Sequence, residues 1–203
     1  DVCSSDLGAY VAFMLASSLL NKCDKYLLSL ASIATISDMM PLKEYNRDIV
    51  RLGIYYMNQN HYYPISLLAD NSIIDENVIG LKIAPKINAV GRMIETTSIN
   101  SLIEYFVTNN KERIDIIYNF INETNEKRKL LTKSTADTLE IEDNVHSIIF
   151  TSDSKEGIIG LIANTLMNKY NLPSIVLTKD HLNPNIYKGS ARSKKGLAIN
   201  KFL

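Results

Sequence analysis

Hydrophobic positions follow two different rhythms along this chain. Up to about residue 142 they recur mostly at helical spacing, and after Asn144 they come as short β-type runs. Residues 8–22, GAYVAFMLASSLLNK, predict a mostly buried helix, and a short second helix covers Tyr26 to about Ile36 before Pro41 stops the run. In EYNRDIVRLGIYYMNQ, Ile49, Leu52, Ile54 and Tyr56 fall near helical spacing and predict a third helix. Residues 60–80 predict short helices joined by polar turns, and SINSLIEYFVT predicts another helix. From Asn110 to about Glu142 the chain is charged and lacks proline, and Ile114, Ile117, Phe120 and Ile121 continue a narrow apolar stripe. That pattern predicts a long connecting helix. Beyond it, HSIIFTS reads as a strand, EGIIGLIANTLMNKYN as a helix, PSIVLT as a second strand, and IYKGSARS as a third strand opening into a Gly/Ser turn. Strand, helix and parallel-type strand within ~30 residues make a βαβ unit, so the fold class is α/β. The boundary between the helical and α/β parts falls in or after the long helix.

Composition narrows the function classes. The chain has 203 residues, 46% hydrophobic and 22% charged, which is a globular balance with enough length for a real core. Lys+Arg and Asp+Glu are both 22, so the formal net charge is zero and any nucleic-acid binding must come from a local patch. The two cysteines, Cys3 and Cys23, form no metal-ligand spacing and suit a reduced, cytoplasmic setting. No apolar run is long enough to span a membrane. The opening heptad DVCSSDL lacks the regions of a signal peptide and reads as a non-native leader. GLAINKFL ends the chain inside a helical pattern, so both ends read as those of a fragment.

Four stretches carry candidate chemistry. From Tyr26 to Leu42 the single charged side chain is Asp38, amid apolar, small and hydroxylated residues. It either caps a turn before Pro41 or serves as a ligand. APKINAVGRM, 84–93, reads as a loop with two cationic side chains: an ordinary helix-to-helix turn, or one presenting backbone N–H groups and Arg92 to a phosphate. EGIIGLIA places two glycines at the mouth of a helix, for close packing or anion approach. In YKGSARSKKG, Gly189 and Ser190 offer small donors and Arg192 a planar fork for phosphate, unless this is a solvated basic turn. His61, His146 and His181 are far apart and have no ligand spacing.

Taken in order, SLASIATISDMMPLKEYNRDIVRLGI, GLKIAPKINAVGRM, INETNEKRKLL, EGIIGLIANTLMNKYNLPSIVL and YKGSARSKKGL resemble the RecJ-type single-strand-specific DNA exonucleases, members of the DHH/DHHA1 phosphoesterases. The likeness runs from about residue 8 to 203. It implies the C-terminal part of a DHH catalytic domain at 1–55, a helical connector with the INAVGRM segment and the long helix at 56–143, and the N-terminal part of a DHHA1 domain at 144–203. It implies divalent manganese or magnesium as cofactor, with Asp38 a metal ligand at the edge of an apolar core and hence catalytic. It places Asn88 and Arg92 near the nucleic-acid path, and Ser190 and Arg192 where the terminal phosphate is held. The partner implied is single-stranded DNA degraded from the 5′ end in repair and recombination, by a monomeric enzyme.

Departures from the family pattern qualify this expectation. The family's Asp-x-Asp and Asp-His-His segments lie upstream of this chain's start, and its Gly-Gly-His-type segment and OB-type domain beyond Leu203. Lys86 stands where Arg is usual, and Ala191 where Gly is usual. The alternatives are an oligoribonucleotide or cyclic-dinucleotide phosphodiesterase of the same superfamily, and a non-catalytic nucleic-acid-binding module.

Overall fold

A computed structural model describes residues 8–93, 98–140, 146–180, 183 and 185–199. The opening heptad, His181 and the last four positions of GLAINKFL lie outside the described residues. The elements run α1 (Gly8–Leu20), α2 (Lys25–Ser37), α3 (Glu44–Asn60), α4 (Tyr63–Leu68), α5 (Glu76–Val78), a π-helical turn (Ile79–Ile83), α6 (Ala84–Arg92), α7 (Ile99–Val107), α8 (Lys111–Asp137), β1 (Ile148–Thr151), α9 (Glu156–Tyr170), β2 (Ser174–Lys179) and β3 (Tyr187–Arg192). The chain divides into two compact units, Asp1–Asn88 with Asn100–Asn122, and Ala89–Ile99 with Glu123–Leu203. The long helix predicted from the apolar stripe is α8, and Ile114, Ile117 and Ile121 are buried along it.

In the first unit, α2 and α3 lie unusually close. An added Cβ at Gly53 would sit 2.3 Å from the Cβ of Ser32, so glycine on α3 and serine on α2 set the helix separation. This accounts for the hydroxyl-rich texture of α2. Ser29 and Thr35 return their hydroxyls to the Lys25 and Ala31 carbonyls of their own helix, both at 2.8 Å, so these two are buried with little polar cost, whereas the buried Ser32 Oγ at the Gly53 contact has no hydrogen-bond partner among the described residues. Leu28, Ala31 and Ile49 then close with Phe13 of α1. The expectation that α1 is mostly buried is corrected: Phe13 is its buried residue, while Val11, Leu15 and Leu19 are exposed.

The second correction concerns 84–93. Residues 84–92 are helical, not a loop, so their backbone N–H groups are engaged in the helix. Pro85 is tolerated because the preceding turn is π-helical, with the Ala84 N–H reaching back to Ile79, and proline's absent N–H falls next to that widened turn. Of the two cations, Lys86 is buried. Its Nζ donates to the Leu68 carbonyl at 2.9 Å and to Asp70 Oδ1 at 2.6 Å, beneath the Tyr118 ring. It therefore anchors the first unit and is not available to a ligand.

That anchor predicts acid sensitivity. Burial alone would raise the Asp70 pKa, but the hydrogen bond and charge of Lys86, with Lys82 and Tyr118, hold it below its ordinary value. A carboxylate depressed in the folded state stabilises above its unfolded pKa, and that contribution is lost as pH falls through the folded value. Thermal unfolding midpoints should fall as pH drops below about 4, and Asp70→Asn should flatten that fall. An unchanged slope in the variant would remove Asp70 from the account. Asp70 is about half exposed, so the effect is screened and modest.

In the second unit, β1 and β2 pair in parallel around α9, as the βαβ pattern predicts, and β3 adds antiparallel to β2. Ile158, Ile159, Ile162, Ala163 and Leu166 of α9 pack with Ile148 and Val176 of the sheet, and Met93 and Ala136 join that core. The Gly/Ser stretch is not a turn: Gly189 to Arg192 continue β3, paired with Leu177 to Ser174. The described part of the C-terminal pattern, 196–199, is not α-helical.

Candidate functional site

In the first unit, Asp38 ends α2. The Met39 N–H donates to the Ile36 carbonyl at 3.0 Å and the Met40 N–H to Thr35 at 3.1 Å, the paired bonds of a Schellman motif. Such a motif needs a left-handed residue after the cap, a place that favours glycine. Here it is Met39, with φ 53° and almost full exposure. Asp38 is the cap itself: its N–H donates to the Ala34 carbonyl at 3.0 Å and its side chain is exposed. A lone carboxylate here carries no desolvation penalty, but it faces the negative end of a helix dipole, unfavourable by ~0.3–1 kcal/mol. Left-handed methionine adds roughly 1 kcal/mol. Two choices against local stability in one turn point toward a task other than stability. The helix carbonyl end and the carboxylate together form an electronegative spot suited to a cation.

Asn88, exposed on α6, donates from Nδ2 to Ser37 Oγ at 3.2 Å. Asp38 and Asn88 line one cavity of about 300 Å³ with Leu30, Ile33 and Ala34 of α2. Ser37, which joins Asn88 to the end of α2, was not singled out by sequence reasoning; its only signal was its place next to Asp38. The described residues do not fit a complete divalent-metal centre, because no group of three or more His, Cys, Asp or Glu side chains among them could hold an ion. Asp38 fits as one oxygen ligand, with no hydrogen-bond or ion-pair partner for its carboxylate among the described residues.

The second unit gathers the basic residues around the start of α9. Gly157 touches the backbone of Arg92 so closely that an added Cβ would lie 2.2 Å from the Arg92 carbonyl oxygen. Arg92 in turn donates from Nη1 to the Gly157 carbonyl at 3.1 Å. Gly160 makes room for Ser190 Oγ and Arg192 Nη2, which would meet an added Cβ at 3.1 and 3.2 Å. The two glycines read as packing or anion positions thus have separate tasks: Gly157 admits backbone, and Gly160 admits two polar side chains. Strand alternation sets Ser190 and Arg192 on the face toward α9. Gly189 lies on the opposite face, where Leu177 Cδ2 comes within 2.7 Å of the place a Cβ would take. Arg192 is exposed and bonds locally, from Nη1 to Ser190 Oγ at 3.1 Å and the Ala191 carbonyl at 2.7 Å. Neither Arg92 nor Arg192 has a carboxylate partner among the described residues. The neighbouring Lys188 does, reaching Glu156 at 2.8 Å and Asp180 at 3.0 Å. A guanidinium beside a hydroxyl, as Arg192 is beside Ser190, can bind phosphate oxygens in pairs when no carboxylate claims it.

The fold, helix-rich α/β with a small sheet, is similar to that of solved RecJ structures. RecJ from Thermus thermophilus superposes with a TM-score of 0.79 in its complexes with Mg2+ and with Mn2+, at 21% identity, over 98% and 97% of this chain and 32% and 30% of those chains. A structure of exonuclease RecJ bound to manganese gives 0.71 at 20% identity, over 98% of this chain and 53% of that one. The sequence comparison agrees: this chain is similar to proteins described as single-stranded-DNA-specific exonuclease RecJ. It is 30% identical over 202 residues to that protein of Bacillus subtilis (strain 168), covering 95% of this chain and 25% of the relative. It is 25% identical over 194 residues to that of Haemophilus influenzae, covering 87% of this chain and 33% of the relative. The chain thus spans a quarter to a third of the length of the curated relatives it matches. No family model matches it.

Proposed function

We propose that this chain is the phosphate-gripping portion of a metal-dependent exonuclease that hydrolyses single-stranded DNA from the 5′ end, in DNA repair and recombination. The observation that carries the reading is the projection of Ser190 and Arg192 over Gly160, with Arg92 held at Gly157 one turn earlier on the same helix. An exonuclease that starts at an end must hold the terminal phosphate at a fixed place, and guanidinium forks beside a hydroxyl supply charge-assisted bonds for that task. The zero net charge supports a local grip over a general basic field. Asn88 takes the backbone near the end of α2, Gly189 makes room for the Leu177 side chain on the other face of β3, and Asp38 supplies one oxygen to a manganese or magnesium ion. The remaining ligands come from segments that the resemblance places upstream. Residues 1–55 belong to the phosphoesterase domain in this reading, 56–143 to the connector and 144–203 to the second domain. Among the described residues no helix is long and apolar enough to cross a membrane, and the reading places a monomer in the cytoplasm.

The test is binding of fluorescent single-stranded oligonucleotides to the purified chain, followed by anisotropy. A 5′-phosphorylated strand should bind at least about tenfold more tightly than its 5′-hydroxyl counterpart, the least expected of charge-assisted bonds. Arg192→Gln should bring the two affinities together. Equal affinities in the unmutated chain would overturn the reading.

A further inference from the structure

We propose that Arg128, on α8, is a further phosphate-binding residue that joins Arg92 in gripping one phosphate group; this rests on reading the second unit as the phosphate-gripping part. Arg128 sits in the charged run Lys127-Arg128-Lys129, which reads as a solvated helix face. The structure separates its members. Lys127 and Lys129 are exposed, and Lys129 pairs with Glu126 at 2.7 Å. Arg128 turns inward and is partly buried.

Its surroundings are unusual for an inward-facing arginine. Nη2 donates to Asn125 Oδ1 at 3.0 Å, and Asn125 is itself buried. That partner is a neutral amide, which orients the guanidinium without neutralising it. Nε is buried and has no hydrogen-bond partner among the described residues. A buried donor on a charged group is among the costliest groups to leave unsatisfied, and native structures seldom do so without reason. A second cation lies close by. Burial lowers the Arg128 pKa, and the positive charge of Arg92 lowers it further; Glu126 opposes this and is already engaged by Lys129. Arg92 spends one N–H on the Gly157 carbonyl and has no carboxylate partner among the described residues. A guanidinium with a buried idle donor, within electrostatic reach of a second one that has no carboxylate partner among the described residues, is suited to hold an anion.

A phosphate meets this need better than a protein carboxylate would. Its tetrahedral oxygens accept from donors converging along several directions, and its charge offsets both cations at once. Arg128 would thereby contribute to affinity for the phosphate group whether it ends a strand or is free in solution.

The test compares Arg128→Gln and Arg128→Lys with Arg92→Gln and Arg192→Gln in the purified chain, using inorganic phosphate, a 5′-phosphorylated strand and a 5′-hydroxyl strand as probes. Both Arg128 variants should lose at least roughly tenfold in affinity for the phosphorylated strand, because lysine keeps the charge but lacks the Nε–H. Loss for inorganic phosphate as well identifies a site for the phosphate group itself; loss confined to the phosphorylated strand identifies a strand-end site, and either supports the proposal. A direct reading in the unmutated chain guards against variants that fail to fold. The Nε–H NMR signal of Arg128, assigned by its disappearance in a folded variant or by selective labelling, should shift on adding inorganic phosphate or the phosphorylated strand. If both Arg128 variants bind as the unmutated chain does and that signal stays still, while Arg92→Gln or Arg192→Gln weakens binding, the Arg128 proposal falls and the wider reading stands. If no variant alters binding, both fall. A lowered unfolding midpoint with unchanged affinity in the folded variant would assign Arg128 to structure only and overturn the proposal.

Discussion

Incubated with single-stranded DNA and manganese, the purified 203-residue chain is expected to release no nucleotides. Hard divalent cations such as Mg2+ require about six oxygen ligands in a well-ordered shell. Asp38 supplies one carboxylate, and no cluster of three or more candidate ligands exists among the described residues. A single exposed carboxylate cannot hold a hydrated ion against water at useful concentrations, so a phosphate held by the proposed grip would not be cut. Mononucleotide release followed by chromatography is the measurement. Robust manganese-dependent release that Asp38→Ala abolishes would show a ligand set complete in this chain and sink the expectation.

The second large effect concerns Asp38 in a longer protein that also carries the Asp-x-Asp and Asp-His-His segments implied by the resemblance. Asp38→Asn keeps the shape of the side chain and removes its charge. Turnover should fall by more than roughly 100-fold, the upper end of what losing even an outer-shell partner of a metal ligand costs. Stability should move the other way or hardly at all, since a carboxylate at the C-terminus of α2 opposes the helix dipole by ~0.3–1 kcal/mol. The prediction is thus a split: activity collapses while the unfolding midpoint holds or rises. A variant that keeps full turnover at limiting manganese would leave Asp38 as a helix cap, the plainer of the two readings of its sequence position.

What could be read from the sequence, and what could not, divides along the range of the forces involved. Most of the α-helices and the βαβ unit followed from local periodicity, because the 3.6-residue and two-residue rhythms are written into consecutive side chains. The apolar stripe of α8 and the break at Pro41 are of this kind. The candidate residues Asp38, Arg92, Ser190 and Arg192 were also visible, as charge or hydroxyl set among residues that do not otherwise call for it. Their surroundings were not, because each is made by a chain segment far away in sequence. Residues 84–92 look like a loop for their Pro, Asn and Gly, yet a π-helical turn before Pro85 lets the helix form, and burial under Tyr118 turns Lys86 from a candidate ligand into an anchor. Residues 189–192 look like a Gly/Ser turn, yet pairing with β2 draws them out as a strand and separates Gly189 from Ser190 by face. The run 127–129 looks like a solvated face, and only the packing of α8 draws Arg128 inward onto Asn125 while its neighbours stay in water. A residue's own chemistry is local, but its exposure and its partners depend on tertiary contacts, and at this site those contacts join residues up to 65 positions apart in the chain.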